Sequence, residues 1–348
     1  MSQIGEDPLV ADVISRYPGA DWLSVGPGDD AAVLDLGARF PGPLVVCTDT
    51  LVEGQDFRRD WSTGWDVGVK VAAQNFADVA AMGAVGHTLL VSLTTPADLP
   101  AAWARELADG LAAECARVGA VVAGGDLSAG SEVSITGTAL GTLSAPQAVL
   151  RSGARPGDSI AIAGVSGRSA AGWALLRGGH GVLQGAALPA ALARLVDDHR
   201  RPRPPYRAGP EAALAGASAM IDTSDGLVRD AARVARASGV VLDLDPAALL
   251  PDADLLAAAA FLSETPRLRE SRDGVPDPLD WVLSGGEDHA LLACFPPAVA
   301  LPASFRRIGI VREWIGGHGV DPGAGGGSAG VWLAGEPISG PGGWQHFA

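Results

Sequence analysis

Three short apolar runs in this chain each lead into an aspartate. Residues 44–47 run into Thr48-Asp49, residues 120–123 into Gly124-Gly125-Asp126, and residues 219–221 into Asp222-Thr223-Ser224-Asp225-Gly226. β-branched and apolar residues without a helical period read as short buried strands, which puts each acid at or near a strand end. An acidic glycine turn, Gly26 to Asp30, and Asp78 in a helical segment add to the set. One aspartate beside a glycine is usually a local backbone cap. Five such motifs, spread over both halves of the chain, constrain the fold far more. Carboxylates gathered together repel one another and are costly to desolvate unless hard cations supply the compensating charge. The arrangement points to Mg²⁺ and, with abundant glycine for close approach, to a polyphosphate held by several such ions.

At 348 residues the chain has room for about two domains at roughly 150 residues each. No apolar segment reaches the roughly 18 residues of a membrane span, and the first residues lack the basic and apolar regions of a secretory signal, so a cytoplasmic location is expected. A net charge of −15 argues against nucleic acid or an anionic membrane as partner. Lys70 is the sole lysine, which excludes a P-loop, so bound phosphates must be held by metals and arginines. Cys47, Cys115 and Cys294 are odd in number, widely spaced and set in apolar runs, and read as buried thiols.

The periodicity predicts a short helix over 8–17, strands over 31–36 and 43–48, and a long helix from a Ser62 or Thr63 cap through Met82. Val69, Ala72, Ala73, Phe76, Val79 and Ala80 form its buried stripe. Lys70, Gln74 and Asp78 follow at successive i+4 positions, a pattern that by itself reads as a solvated polar face. A strand over 87–94, a helix over 96–118 and strands over 120–123 and 133–143 follow. The pattern breaks near 151–158, dividing the chain into residues 1–148 and 149–348. In the second part, strands over 159–163, 219–221 and 240–244 alternate with helices over 169–176, 188–199, 211–214, 227–237 and 253–263. The turn over 164–167 superficially resembles a phosphate loop, but simple connection geometry is the better reading. Residues 322–330 are a Gly/Ala/Ser loop expected to be mobile. The fold class is α/β with mixed sheets.

The motifs GPGDDAAVL, TDTLVEG, AQNFADVAAMGA, AGGD, LRSGARPGD, IDTSDGL and LSGGEDHALL occur in that order. The set resembles the thiamine-monophosphate kinase family of the aminoimidazole ribonucleotide synthetase superfamily, from about Gly26 to the end of the chain. The resemblance implies a two-domain architecture of that superfamily, with the N-terminal sheet forming a homodimer interface. It also implies ATP-dependent phosphorylation of thiamine monophosphate with Mg²⁺. Carried over by motif, Asp30, Thr48, Asp49, Asp78, Asp126, Asp222 and Asp225 are implied metal ligands. Gly125, Asp126, Arg151 and Ser224 are implied at ATP, and Glu287 and Trp344 at the thiamine moiety. Cys47 stands where the family often has a serine. Asp56 stands where the family commonly has a histidine that approaches the substrate. Three readings of Asp56 compete: it meets the thiamine rings, it ligates a further Mg²⁺, or it turns away and Arg58 or Arg59 takes the phosphate. The third is favoured because arginine matches a phosphate bidentately.

The expected reaction is in-line attack by an already anionic phosphate oxygen, which needs no general base and agrees with the lack of an obvious histidine-centred constellation. Hydrogenase-maturation and selenophosphate-forming ATPases of the same superfamily are the alternative enzymes, and the terminal cysteines expected of them are absent. A non-catalytic Mg²⁺- or nucleotide-binding protein is the alternative outside enzymes.

Overall fold

The computed structural model describes residues 6–25, 33–37, 39–264, 277–314, 330–338 and 343. Asp30, Trp344 and all but the last residue of the 322–330 loop lie outside them.

The first half opens with helix α1 (Glu6–Ile14) and a two-stranded ribbon of β1 (Leu23–Val25) and β2 (Val33–Leu34). The strand expected over 31–36 is therefore described over only two residues, and it pairs back onto β1. A four-stranded sheet follows in the order β3-β6-β4-β5, from β3 (Leu44–Val52), β4 (Ala84–Thr95), β5 (Val121–Ala129) and β6 (Ser134–Leu143). The β4–β5 pair is parallel and the others antiparallel. β3 is longer than expected and is not buried on both sides. Leu44 and Val46 are exposed while Leu51 is buried, the alternation of a strand with one covered face. Asp49 thus lies inside β3, opposite Gly137, and Asp126 lies inside β5, opposite Ser92, rather than beyond the strand ends.

Helices α2 (Gly64–Ala81) and α3 (Ala101–Val118) pack side by side in this half. Thr63 starts α2 with a capping box: its hydroxyl accepts from the Asp66 N–H, and the Asp66 carboxylate accepts from the Thr63 N–H. Such a cap contributes about 1 kcal/mol. The expected apolar stripe of α2 is buried, but so are Lys70, Gln74 and Asn75, so the polar face is enclosed rather than solvated. Close approach of α3 requires glycine at Gly68, where a Cβ would meet the Leu107 carbonyl oxygen at 2.2 Å.

The second half forms a seven-stranded sheet in the order β13-β12-β9-β11-β7-β10-β8. Its strands are β7 (Ser159–Ala163), β8 (Ala219–Asp222), β9 (Val240–Leu244), β10 (Leu291–Phe295), β11 (Arg306–Glu313), β12 (Val331–Leu333) and β13 (Glu336–Pro337). Only β12 and β9 run parallel. Both faces are covered, which is why β7, β8 and β10 read as largely apolar runs, while β9 carries one buried acid, Asp243, paired with Arg312. Ile160, Ile162 and Ile221 point into a core shared with α4 (Arg168–Arg177), α5 (Ala190–Arg200), α7 (Leu227–Ser238) and α8 (Ala253–Ser263). Ala161, Ala163, Met220 and Phe295 point the other way, onto α6 (Ala208–Ala215) and onto Ala80 and Ala81 of α2. The last turn of α2 therefore belongs to the core of the second half, while Val71 and Phe76 belong to that of the first.

Candidate active site

The strand β3, the helix α2 and the end of β8 meet between the two sheets and bring carboxylates together. Asp49 faces α2 from β3, Asp78 is the half-exposed residue near the end of α2, and Asp222 closes β8. Burial raises the Asp78 carboxyl first, and the charges of Asp222 and Asp49 raise it further, to about 7, while Arg151 and His289 work in the opposite direction. Burial likewise raises Asp49, with Asp56 and Asp222 adding to it and the Thr50 N–H, which donates to Asp49 Oδ1 at 2.8 Å, opposing it. Elevation of Asp78 and Asp49 by neighbouring carboxylates marks acids held near one another without sufficient positive charge between them.

The turn after β8 extends the acidic surface. Asp225 is paired with Arg233 and with Arg229, and its N–H donates to the Asp230 carboxylate at 3.0 Å. Asp230 is fully enclosed; burial and the charges of Asp222 and Asp225 push it up to about 7 although Arg233 pairs with it. His289 Nδ1 lies 3.1 Å from Asp222 Oδ2. Burial alone disfavours the imidazolium, but the hydrogen bond and charge of Asp222 prevail and raise its pKa. Cys47 donates its thiol to the Asn75 carbonyl at 3.1 Å, and burial with the nearby Asp78 charge pushes it up to about 12, so it is a thiol and not a thiolate.

The loop between the short helix Pro278–Ser284 and β10 lies against this turn. The Glu287 N–H donates to the Ser224 carbonyl at 2.8 Å and the His289 N–H to the Thr223 carbonyl at 3.2 Å. The Glu287 carboxylate meets Lys70 Nζ at 2.7 Å and His199 Nδ1 at 3.2 Å. Burial works against its charge, yet Lys70 and His199 together hold the carboxyl well below its ordinary value. Asp288 takes the N–H groups of Gly167 and Ser169 at 2.6 and 2.8 Å. The turn that resembled a phosphate loop is thus filled by the protein's own carboxylate, as connection geometry requires.

Not every predicted residue joins this cluster. The Thr48 hydroxyl lies on the opposite face of β3, bonded to the Gly137 carbonyl at 2.8 Å and 3.1 Å from the Thr138 hydroxyl. Asp126 is exposed on β5 and accepts from Ser128 at 2.9 Å. Gly125 lies so close to β4 that a Cβ would stand 1.9 Å from the Val91 carbonyl oxygen. Asp56 turns back onto the chain, its Oδ2 accepting the Val52 N–H at 2.8 Å and its carbonyl accepting Lys70 Nζ at 3.1 Å. Beyond it an open depression of about 320 Å³ is lined by Glu53, Gly54, Arg58, Arg59 and Asp60. Arg58 pairs with Asp60 and Arg59 with Glu53.

Sequence reasoning missed Lys70, His199, Asp230, Asp288 and His289. The apolar stripe of α2 hid Lys70 as a surface residue, and no histidine-centred group was visible because His199 and His289 meet their acids across more than 65 residues of chain. The adjacency of Glu287, Asp288 and His289 between two apolar runs was the available signal.

Among the described residues no three His, Cys, Asp or Glu side chains stand close enough to hold one ion by themselves. The donor set nonetheless suits a hard cation that takes further ligands from a phosphate. It is oxygen-rich and underneutralised, and Asn75 Oδ1 and Thr223 Oγ1 are buried beside it without a hydrogen-bond partner among the described residues.

Residues 28–143 match the N-terminal domain of AIR synthase related proteins, and residues 155–300 the C-terminal domain. The thiamine-monophosphate kinase of Mycobacterium tuberculosis is 43% identical over 347 residues, covering 100% of this chain and 93% of that protein. A solved structure of the thiamine-monophosphate kinase of Stenotrophomonas maltophilia superposes with a TM-score of 0.76 at 29% identity, over 96% of this chain and 98% of that one. A second, AaThiL complexed with AMPPCP and TMP, superposes with a TM-score of 0.71 at 28% identity over 87% of each chain.

Proposed function

From a chain that belongs to the AIR synthase related proteins and, within them, to the thiamine-monophosphate kinases, we infer transfer of the γ-phosphoryl group of ATP to thiamine monophosphate, giving ADP and thiamine diphosphate. The observation that carries the reading is the convergence of Asp49, Asp78 and Asp222 from both halves of the chain into one underneutralised cluster. Two polyanions cannot approach such a surface unaided, and Mg²⁺ ions, when bound, supply the charge that joins carboxylates to phosphates.

The chain's own residues then position the reactants. Asp49, Asp78 and Asp222 hold the phosphate-bearing ions, with Asp225, Asp126, Thr48 and Asp30 as the remaining metal-site residues. Arg151, whose charge already reaches Asp78, meets the ATP phosphates, alongside Gly125, Asp126 and Ser224. The attacking phosphate oxygen is anionic near neutral pH, so no side chain need remove a proton. His289 fits this picture as the partner of Asp222 rather than as a base. Glu287 and, by motif alone, Trp344 serve the thiamine moiety, and the arginine-lined depression beside Asp56 receives the substrate's phosphate end through Arg58 or Arg59.

The same reading takes residues 1–148 and 149–348 as the two domains, and a homodimer joined through the N-terminal sheet. Exposed Leu44 and Val46 on β3 and Val85 and Leu90 on β4 support such an interface. Among the described residues no helix is long and apolar enough to cross a membrane, which is consistent with a cytoplasmic enzyme. Incubation with ATP, Mg²⁺ and thiamine monophosphate tests the function. ADP and thiamine diphosphate in equal amounts are expected. ADP without thiamine diphosphate would point to another ATPase of the superfamily, and nucleotide binding without turnover to a non-catalytic protein.

A further inference from the structure

The sole lysine of the chain is one of its most enclosed side chains, 2% exposed in the middle of α2. A lysine is seldom buried unless its charge is matched. Here the match comes from the other half of the molecule. Lys70 Nζ meets Glu287 Oε1 at 2.7 Å and donates to the Asp56 carbonyl at 3.1 Å. The second Glu287 oxygen meets His199 Nδ1 at 3.2 Å, and the Ser169 hydroxyl lies 3.0 Å from the same nitrogen. A serine–histidine–acid relay needs the serine and the acid on different ring nitrogens. With both at Nδ1 the group is an anchor for Glu287, not a nucleophile.

What the anchor holds is the loop that lies on the Asp222–Asp225 turn. Glu287 and His289 both have left-handed backbones, with φ of 65° and 51°, a conformation that non-glycine residues adopt only when their surroundings impose it. Their N–H groups bond the Ser224 and Thr223 carbonyls, and the His289 ring bonds the Asp222 carboxylate. Lys70 and Asp78 lie eight residues apart on the same face of α2, about 12 Å along its axis at about 1.5 Å per residue. One end of that face therefore grips the loop behind Asp222, and the other end presents Asp78 to Asp222.

We propose that Lys70 is a positioning residue: through Glu287 it fixes the 285–289 loop against α2 and so sets Asp78 of the first half against Asp222 of the second. Lys70 touches no reacting atom in this scheme. Its effect on turnover rests on the kinase reading; its effect on the loop does not.

The test compares wild type, Lys70→Met and Lys70→Arg by hydrogen exchange over residues 285–289 and by steady-state kinetics well below the melting temperature. In Lys70→Met the amides of Glu287 and His289 should exchange about tenfold faster or more. The value of kcat should fall by about tenfold or more, with KM for ATP changed less than about threefold. Lys70→Arg, which keeps the charge, should recover part of both. Unchanged exchange in Lys70→Met overturns the proposal, and so does faster exchange with wild-type kcat. A lower melting temperature with both readouts unchanged reduces Lys70 to a packing role and overturns it as well. If Lys70→Met does not fold, Lys70→Gln is judged by the same two readouts. Wild-type protein that makes no thiamine diphosphate would remove the kinase reading, while the exchange comparison would still decide what Lys70 does to the loop.

Discussion

Replacing Asp288 with asparagine should flatten part of the pH dependence of stability. Asp288 is 6% exposed, and its oxygens accept the N–H groups of Gly167 and Ser169 at the start of α4. Burial outweighs those two bonds and pushes the carboxyl up to about 7 from an ordinary 3.8. Between about pH 4 and pH 7 the folded state therefore keeps a proton that the unfolded chain has released, and stability is lost as pH rises through that window. A difference of about three units bounds the effect at about 4 kcal/mol, and relaxation around the buried charge brings the expected value to about 2 kcal/mol. Asp288→Asn stays neutral at every pH. It keeps an oxygen for one amide and sets its NH₂ against the other, a pH-independent loss of about 1–3 kcal/mol. Urea denaturation followed by tryptophan fluorescence at pH 5, 6, 7 and 8 reads the difference. The wild type should be the more stable at pH 5, and its lead should shrink by about 2 kcal/mol by pH 8. A lead that stays constant or grows would mean that Asp288 is ionised throughout.

Gly125→Ala should destabilise the protein by about 2–4 kcal/mol, because its Cβ would stand 1.9 Å from the backbone oxygen of Val91, which cannot swing aside; a melting temperature within a degree of wild type would contradict this. Calorimetry of ATP with and without Mg²⁺ should show clearly tighter binding with the metal, since a chain of net charge −15 otherwise repels a polyanion, and equal affinity would remove the metal-bridging role of the aspartates. Arg58→Ala or Arg59→Ala should raise KM for thiamine monophosphate clearly more than KM for ATP. Asp56→Asn should change little, because the amide oxygen can still accept the Val52 N–H. Loss of activity in Asp56→Asn with both arginine variants normal would assign the substrate contact to the acid itself.

The apolar runs and the capping signal made much of the architecture legible. Residues 159–163, 240–244 and 253–263 are the elements their patterns predict, and Thr63 caps α2. The strand bounds around Asp49 and Asp126 were not legible, because threonine, glycine and aspartate within β3 and β5 look like the end of a strand. They continue the ladder because β6 and β4 supply partners that only the fold brings into register. Asp49, Asp78 and Asp222 were identified by motif and stand together, whereas Lys70 read only as part of a solvated face and His289 was not singled out. A lysine four residues before Gln74 and eight before Asp78 looks solvated until Glu287, 217 residues later, is placed against it. Long-range charge pairing leaves no local periodicity to read.

Because α2 gives Val71 and Phe76 to one core and Ala80 and Ala81 to another, the two halves share a structural member that is synthesised early. On the ribosome, the chain up to about residue 148 emerges with α2 already made, but the surfaces that will cover Ala80, Ala81 and the Lys70 face still lie in unsynthesised sequence. The nascent first half therefore carries an uncovered apolar strip and an unmatched buried-type charge until β7, β8 and β10 arrive. Partly made chains of this kind are candidates for chaperone capture and for off-pathway association. Slowing translation between β6 and β10 should enlarge that population, and completing α2's surroundings is the event that ends it.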